Sequence, residues 1–381
     1  MRKRVPNYTH RVTSAPPFRA DIVGSFLRPD TLATVRRNYA AGTASSEELR
    51  EVEDVAIATL VAQQADAGLR LATDGEFRRS WWHLDFWGGL NGFEVVDLDQ
   101  GVQFEGVRTR PRGMHVTGEI SFDPRNSFVD AFRFLKAEAE QRGLMPKVTI
   151  PSPTVLDFRL DGDHIDPGAY TDREAVIEDV VHAYRDALNA FYDAGARYIQ
   201  LDDTAWGYLC SAAEIDKAKA RGIETSGIAE RYARLINRII ADRPSDLVVT
   251  THVCRGNFRS TWIASGGYEP VAEQLLSETA YDGYFLEYDS DRAGGFEPLR
   301  YLPHGDKRVV LGLVTTKTGE LEDGDAVRRR IDEAAEFAPL DQLALSPQCG
   351  FASTEEGNLI DEDDQWAKVR RVVEVSRQVW A

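Results

Sequence analysis

Eight short runs along the chain are dense in Val, Ile, Leu, Tyr and Phe with little alternation: residues 21–24, 69–73, 147–150, 197–201, 247–251, 284–287, 308–311 and 342–345. A strand covered on one face alternates apolar and polar side chains, whereas a strand covered on both reads as an unbroken apolar run. These runs therefore predict strands of a buried parallel sheet. Between most of them lie amphipathic stretches of helical period, at 47–67, 174–194 and 226–241 among others. Eight strand–helix units make an α/β fold, and the economical way to close them is a (β/α)8 TIM barrel.

One segment departs from this rhythm. Residues 92–121 alternate through Val107-Arg-Thr-Arg-Pro-Arg and again through Met114-His-Val-Thr-Gly-Glu-Ile. That pattern predicts an antiparallel β-hairpin inserted after the second strand, as a flap or rim element. There is no low-complexity linker, repeat or composition break, so residues 1–381 read as a single domain carrying an insertion at roughly 92–121.

The polar residues gain meaning from this frame, because the C-terminal strand ends of such a barrel converge on one mouth where active sites are built. The first run leads into Gly24-Ser25 and the second ends in Asp74-Gly-Glu76. The fourth ends in Asp202-Asp203, the fifth in His252-Val-Cys254, the sixth in Glu287, and the eighth leads into Cys349. At i and i+2 of an extended strand, His252 and Cys254 project to the same face, which places half of a tetrahedral zinc site. Glu287 and Cys349, each from another strand end, complete a His, Cys, Glu, Cys set. The third cysteine, Cys210 in Trp206-Gly-Tyr-Leu-Cys210, is read as a small buried hydrophobe.

A thiol of pKa about 8.5 is mostly protonated at neutral pH, and zinc coordination deprotonates it. Two protein thiolates and a carboxylate make the centre formally anionic and leave electron density on an incoming sulfur, which suits activation of a thiol nucleophile. Hydrolytic zinc sites are richer in histidine and stay cationic. Glu76 and Asp202 are the candidate catalytic carboxylates, suited to gripping an α-ammonium; capping of a loop or helix is the alternative for each. Ser25 and the backbone N–H groups around it suit a carboxylate. Trp81, Trp82, Phe86 and Trp87 cluster after Glu76 and either wall the site or pack.

Composition narrows the partners. With 62 acidic against 45 basic residues, the net charge of −17 argues against nucleic acid or an anionic membrane. No apolar run reaches the roughly 18 residues that a membrane span needs. The basic opening Met1-Arg-Lys-Arg-Val5 has no apolar core or cleavage site after it, and three cysteines make no disulfide framework. A cytoplasmic location is the expectation.

The chain resembles the C-terminal catalytic barrel of cobalamin-independent methionine synthase, and most of all short bacterial relatives that contain that barrel alone. The resemblance spans residues 18–357. It rests on Arg19-Ala-Asp-Ile-Val-Gly-Ser25, Thr73-Asp-Gly-Glu-Phe-Arg-Arg-Ser-Trp-Trp82, Ile199-Gln-Leu-Asp-Asp203, His252-Val-Cys254, Phe285-Leu-Glu287 and Pro347-Gln-Cys-Gly350. It implies a Zn2+ held by His252, Cys254, Glu287 and Cys349. It also implies homocysteine held by Ser25 at its carboxylate and by Glu76 and Asp202 at its ammonium. The implied reaction moves a methyl group to that thiol, from methyltetrahydrofolate or from a methylcorrinoid carried by a corrinoid protein. Two features depart from the family pattern. The full-length synthases have an N-terminal barrel without counterpart here. They also place a histidine in the loop after the seventh strand, where this chain reads Gly312-Leu-Val-Thr-Thr-Lys317-Thr-Gly-Glu320. Alkyl transfer to another thiol such as coenzyme M, or a related C–S or C–O cleavage, is the alternative reaction. A non-catalytic zinc site is disfavoured, because closed structural sites draw their ligands from short loops rather than distant strand ends.

Overall fold

The computed structural model describes residues 15–160 and 164–380. Its strands, in chain order, are β1 (Leu71–Ala72), β2 (Asn91–Asp97), β3 (Gln103–Phe104), β4 (Val107–Arg108), β5 (Arg112–Ser121) and β6 (Met145–Pro146). They continue with β7 (Val148–Pro151), β8 (Tyr198–Asp203), β9 (Val248–Val253), β10 (Gly283–Glu287), β11 (Arg308–Val314) and β12 (Leu343–Pro347). Strands β7 to β12 pair in parallel, each with the next. β6 runs into β7 through Lys147, whose N–H donates to Ala72 O at 2.8 Å, and β6 pairs in parallel with β1. Residues 19–26 close the ring. Asp21 N–H donates to Leu345 O (3.0 Å) and Leu345 N–H to Arg19 O (2.9 Å); on the other side Phe26 N–H donates to Gly75 O (3.2 Å). The result is an eight-staved (β/α)8 barrel. Every residue of β8, β10, β11 and β12 is buried, as continuous apolar runs require.

The first two staves are less regular than their sequence suggests, and side chains are the reason. The Asp21 carboxylate accepts from the N–H groups of Phe18 (2.9 Å) and Ile22 (2.8 Å), capturing donors that a ladder would otherwise use. Gln64 does the same at Thr73, accepting from its N–H (3.0 Å) and donating to its carbonyl (2.9 Å). The second stave is therefore only two residues of regular strand rather than 69–73.

The outer helices lie where the amphipathic stretches put them. Ser46–Asp66 begins with a capping box, in which Ser45 Oγ accepts from Glu48 N–H and Glu48 Oε2 accepts from Ser45 N–H. Arg173–Asp193 starts from Asp172 as its cap, and Ile228–Ile240 buries Ile228, Tyr232, Leu235, Ile236 and Ile239 against the barrel. Within 92–121, β2 pairs antiparallel with β5, and β3 with β4 at the far end. That far end is anchored onto the loop after β9: Glu105 N–H donates to Trp262 O at 3.0 Å, and the Phe104 ring lies 5.4 Å from that of Phe258. The insertion thereby roofs part of the barrel mouth. No described helix is long and apolar enough to cross a membrane.

Inside the barrel, Val23, Phe285, Val310 and Ala344 form a small apolar cluster separate from the main core. Next to it Lys147 and Asp21 pair at 3.2 Å with neither side chain exposed, and the ammonium lies 4.0 Å from the centre of the Phe285 ring. Removing one partner of such a pair strands the other charge in a low-dielectric interior. Asp21→Asn should therefore lower unfolding free energy by roughly 3 kcal/mol in urea titrations. A loss under about 0.5 kcal/mol would show that Lys147 needs no counter-ion.

Candidate metal centre

Strand pairing brings three of the four expected ligands together. His252 is the penultimate residue of β9 and Cys254 follows the strand. The register sets Leu286 opposite Val253, so Glu287, the last residue of β10, comes level with Cys254. Cys349 arrives from the far side, two residues beyond β12. Its path depends on Gly312 of β11, which lies opposite Glu287. A Cβ there would sit 2.7 Å from Gln348 Cα and 2.9 Å from Leu286 O, so a larger residue would push the Cys349 loop away.

The ligand atoms of these four residues all lie within 4.8 Å of one another, and all four side chains are buried. The two sulfurs are 3.6 Å apart, close to the roughly 3.8 Å edge of a tetrahedron with zinc–sulfur bonds of about 2.3 Å. Both ring nitrogens of His252 and Oε2 of Glu287 have no hydrogen-bond partner among the described residues. Oε1 of Glu287 accepts from Arg255 N–H (2.9 Å) and Cys254 Sγ from Gly256 N–H (3.3 Å), so the backbone between the ligands orients them. Buried polar atoms left unpartnered are costly unless another group satisfies them, and the set can hold a metal ion.

The hydrogen bond between the two thiols, aided at Cys349 by His252, holds Cys349 well below the usual thiol range and Cys254 well above it. A divalent cation would remove that division by favouring both thiolates. Three cations stand close, one of them Arg292, whose Nη2 lies 3.9 Å from Glu287 Oε2. Lys317 Nζ donates to Asn257 Oδ1 (3.1 Å) and Thr261 O (3.3 Å), and its charge favours ionised Glu287. Arg255 is fully buried with its guanidinium 4.4 Å from the centre of the Tyr268 ring.

Ser25, Glu76 and Asp202 line the same cavity as His252, Cys254 and Cys349. Glu76 has φ of 61°, a left-handed conformation that a non-glycine residue adopts at a cost and that is common at functional positions. Its Oε1 accepts from Thr149 Oγ1 (3.1 Å) and lies 3.5 Å from Arg79, while Oε2 has no hydrogen-bond partner among the described residues. Burial pushes the Glu76 carboxyl up to about 7 and that of Asp202 to about 6. Asp202 also accepts from Gln200 Nε2 at 2.6 Å. Ser25 Oγ accepts from Ala352 N–H (3.2 Å), leaving its own proton for a ligand. Gly350 gives it room, since a Cβ there would lie 1.9 Å from Ser25 Oγ.

Of the four aromatics after Glu76, Trp81 and Trp82 wall this cavity. Phe86 packs on Phe122, Phe128 and Tyr184, and Trp87 donates to Tyr184 Oη at 2.9 Å. Cys210 stays apart from the cluster: its Sγ donates to Trp206 O, and burial pushes its thiol up to about 11. The cavity also contains His83, Arg159, Tyr208 and Asn257, which sequence patterns did not single out. Arg28 has a structural part, donating to four carbonyls, those of Glu76, Arg79, Ala352 and Thr354, and so tying the loops around the mouth.

Known proteins resemble this chain in sequence and fold. The family model described as the catalytic domain of cobalamin-independent synthase matches residues 18–377. The uncharacterized protein YxjG of Bacillus subtilis is 50% identical over 367 residues, covering 96% of this chain and 95% of its own. The methionine synthase of Methanothermobacter marburgensis is 26% identical over 358 residues, covering 94% of this chain and 98% of its own. Among solved structures, the putative vitamin-B12-independent methionine synthase from Listeria monocytogenes has 41% identity and a TM-score of 0.78. It covers 96% of this chain and 98% of that one.

Cys349→Ser should leave the fold intact by circular dichroism and cut the bound metal found by elemental analysis at least tenfold, since a hydroxyl is a poor substitute for a thiolate. Full metal content in that variant would remove Cys349 from the set.

Proposed function

The chain belongs to the family of cobalamin-independent synthase catalytic domains, and from that premise we propose that it transfers a methyl group to the thiol of homocysteine, giving methionine. One observation carries the reading: three members of a buried His, Cys, Glu, Cys cluster, His252, Cys254 and Cys349, line a cavity with two carboxyls and a serine suited to an amino acid. His252, Cys254, Glu287 and Cys349 would hold Zn2+. Zinc in that setting supplies deprotonation of a thiol while two thiolates and a carboxylate keep the sulfur electron-rich.

The remaining steps belong to the chain's own residues. Glu76 and Asp202 hold the ammonium of the substrate, and its charge favours the ionised carboxylates against the burial that opposes them. Ser25 donates to the substrate carboxylate. These contacts fix the sulfur's position relative to the metal ligands, which turns a bimolecular encounter into an oriented one. The thiol's proton passes to solvent, a new sulfur–carbon bond forms to the donor's methyl group, and the bond from that methyl to the donor breaks with its electron pair remaining on the donor. A folate nitrogen then takes a proton from solvent, whereas a corrinoid keeps the pair on its metal. Trp81, Trp82 and Phe104 wall the cavity and keep water from the reacting carbon.

The donor in this reading is methyltetrahydrofolate or a methylcorrinoid. Lys317 occupies the loop after the seventh stave, but Asn257 and Thr261 hold its ammonium and it does not line the cavity, so proton delivery to a leaving group is not assigned to it. Alkyl transfer to coenzyme M is the second reading; that thiol has no ammonium for Glu76 and Asp202 to bind.

The direct test supplies zinc-loaded protein and homocysteine with methyltetrahydrofolate (mono- and polyglutamate) or methylcobalamin, and coenzyme M as an alternative acceptor. Methionine should form from at least one donor, at a rate lowered by 100-fold or more in Asp202→Asn. Methionine from none of them would sink the reading.

A second prediction concerns pH. With Glu76 titrating at about 7, the folded protein keeps its proton at pH 6 and loses it by pH 8. Binding of an ammonium therefore strengthens as pH rises through that window. Calorimetric titration with methionine, whose thioether has no proton to lose, should show affinity rising about tenfold from pH 6 to pH 8, one pKa unit being 1.36 kcal/mol. Glu76→Gln should flatten that rise; an unchanged profile would free Glu76 from the role.

A further inference from the structure

The cavity lined by His252, Cys254 and Cys349 has further polar lining that the amino-acid grip leaves unused. Arg159, the last residue of the helix Pro153–Arg159, lines it together with His83, Tyr208, Trp82 and Phe104. Its Nη1 lies 2.8 Å from His83 Nε2. A guanidinium only donates, so Nε2 is the acceptor and the ring proton sits on Nδ1. Burial and the neighbouring Arg159 charge hold the imidazole well below its ordinary range, so it is neutral and offers Arg159 no counter-charge.

His83 is 2% exposed, stacked on Trp82 with ring centres 4.5 Å apart and edge-on to Trp87 at 5.1 Å. Its Nδ1 has no hydrogen-bond partner among the described residues, and Arg159 makes no ion pair among them. A groove that shares Val102, Arg159 and Tyr208 with the cavity continues outward to Arg221. Arg221 Nη2 donates to Phe158 O at 3.2 Å and likewise has no ion pair among the described residues. Arg159 and Arg221 thus follow one another without a carboxylate partner among the described residues, the inner of them beside aromatic rings, while Glu214 of the same groove is paired with Lys217 at 2.6 Å. The two guanidinium groups make a path for an anion toward the metal centre.

We propose that Arg159 is the recognition residue for an anionic arm of the alkyl donor, a carboxylate, sulfonate or phosphate, with Arg221 meeting the same arm farther out. The assignment to the donor rests on the methyl-transfer reading, in which Ser25, Glu76 and Asp202 already satisfy both charged groups of the amino acid. The anion site itself rests only on the geometry around Arg159. Arginine suits the task because its planar fork binds two oxygens at once, which lysine does not reproduce.

The test uses the zinc-loaded full-length protein, titrated with benzoate, benzenesulfonate and phenyl phosphate, and with benzamide as a neutral ring of the same shape. Calorimetry and tryptophan fluorescence report binding, with and without saturating methionine to fill the amino-acid end. At least one anion should bind saturably and compete poorly with methionine, and the strongest of the three names the chemical class. Arg159→Gln should weaken that anion about tenfold or more, Arg159→Lys by less, and benzamide in neither, while zinc content and methionine affinity stay at the parent values. Absence of anion binding to the parent protein, or binding unaltered in both variants, would overturn the proposal. If anions bind through Arg159 but methionine does not bind, the methyl-transfer reading fails and the anion site stands; the reverse pattern removes the site alone.

Discussion

Two thiols, an imidazole and a carboxylate gathered within 4.8 Å in a buried pocket make an arrangement that a protein does not hold without a purpose. Each group has been taken from water, and the imidazole nitrogens and Glu287 Oε2 have no hydrogen-bond partner among the described residues, Oε2 lying 3.9 Å from the Arg292 guanidinium. Ionising both thiols and the carboxylate would set three negative charges together in a low-dielectric site. A divalent cation answers both problems at once, which makes coordination the economical explanation of the geometry. The rest of the barrel mouth is arranged around that constraint. The β9–β10 register brings Glu287 level with Cys254, and Gly312 is bare so that the loop carrying Cys349 can close in from β12.

The cavity beside the cluster is chemically divided. Toward Ser25, Glu76 and Asp202 it is acidic, with burial raising both carboxyls into the neutral range. Toward Arg159 and His83 it is cationic and aromatic. On the proposed reaction, the acceptor's ammonium would favour the two carboxyls and an anionic group of the donor would favour Arg159.

Much of this was legible in the chain, for identifiable reasons. Buried parallel strands leave unbroken apolar runs, and all eight runs fall on staves. His252 and Cys254 were readable because period-two spacing on a strand fixes their common face. Glu287 and Cys349 were readable because strand ends in a closed barrel must converge. What escaped has no such local rule. The first two staves lost their regular ladders to the side chains of Asp21 and Gln64, whose long-range roles leave no mark in the pattern of apolar positions. His83 and Arg159 meet across 76 positions of sequence, and Asn257 is defined by what it holds: Lys317 Nζ on one side and Gly350 O on the other. Contacts built by loops are set by the closed fold and have no periodicity to betray them.

The departure of the seventh-stave loop from the family pattern gains a physical meaning from the charge around the metal ligands. Two thiolates and one carboxylate on a divalent cation leave one net negative charge, which a buried site must balance. Lys317 is buried, fixed by Asn257 and Thr261, and its charge favours ionisation of both Cys349 and Glu287. Arg255 stands on another side, wholly buried, with its backbone N–H on Glu287 Oε1 and its guanidinium against Tyr268. Cations at those two positions, with Arg292 at 3.9 Å from Glu287 Oε2, would lower the cost of an anionic centre. A histidine facing the cavity from this loop would serve a leaving group that needs a proton. A lysine held by Asn257 and Thr261 instead favours the ionised thiol and carboxylate of the cluster, and on the proposed reaction a departing donor would be met from elsewhere in the cavity.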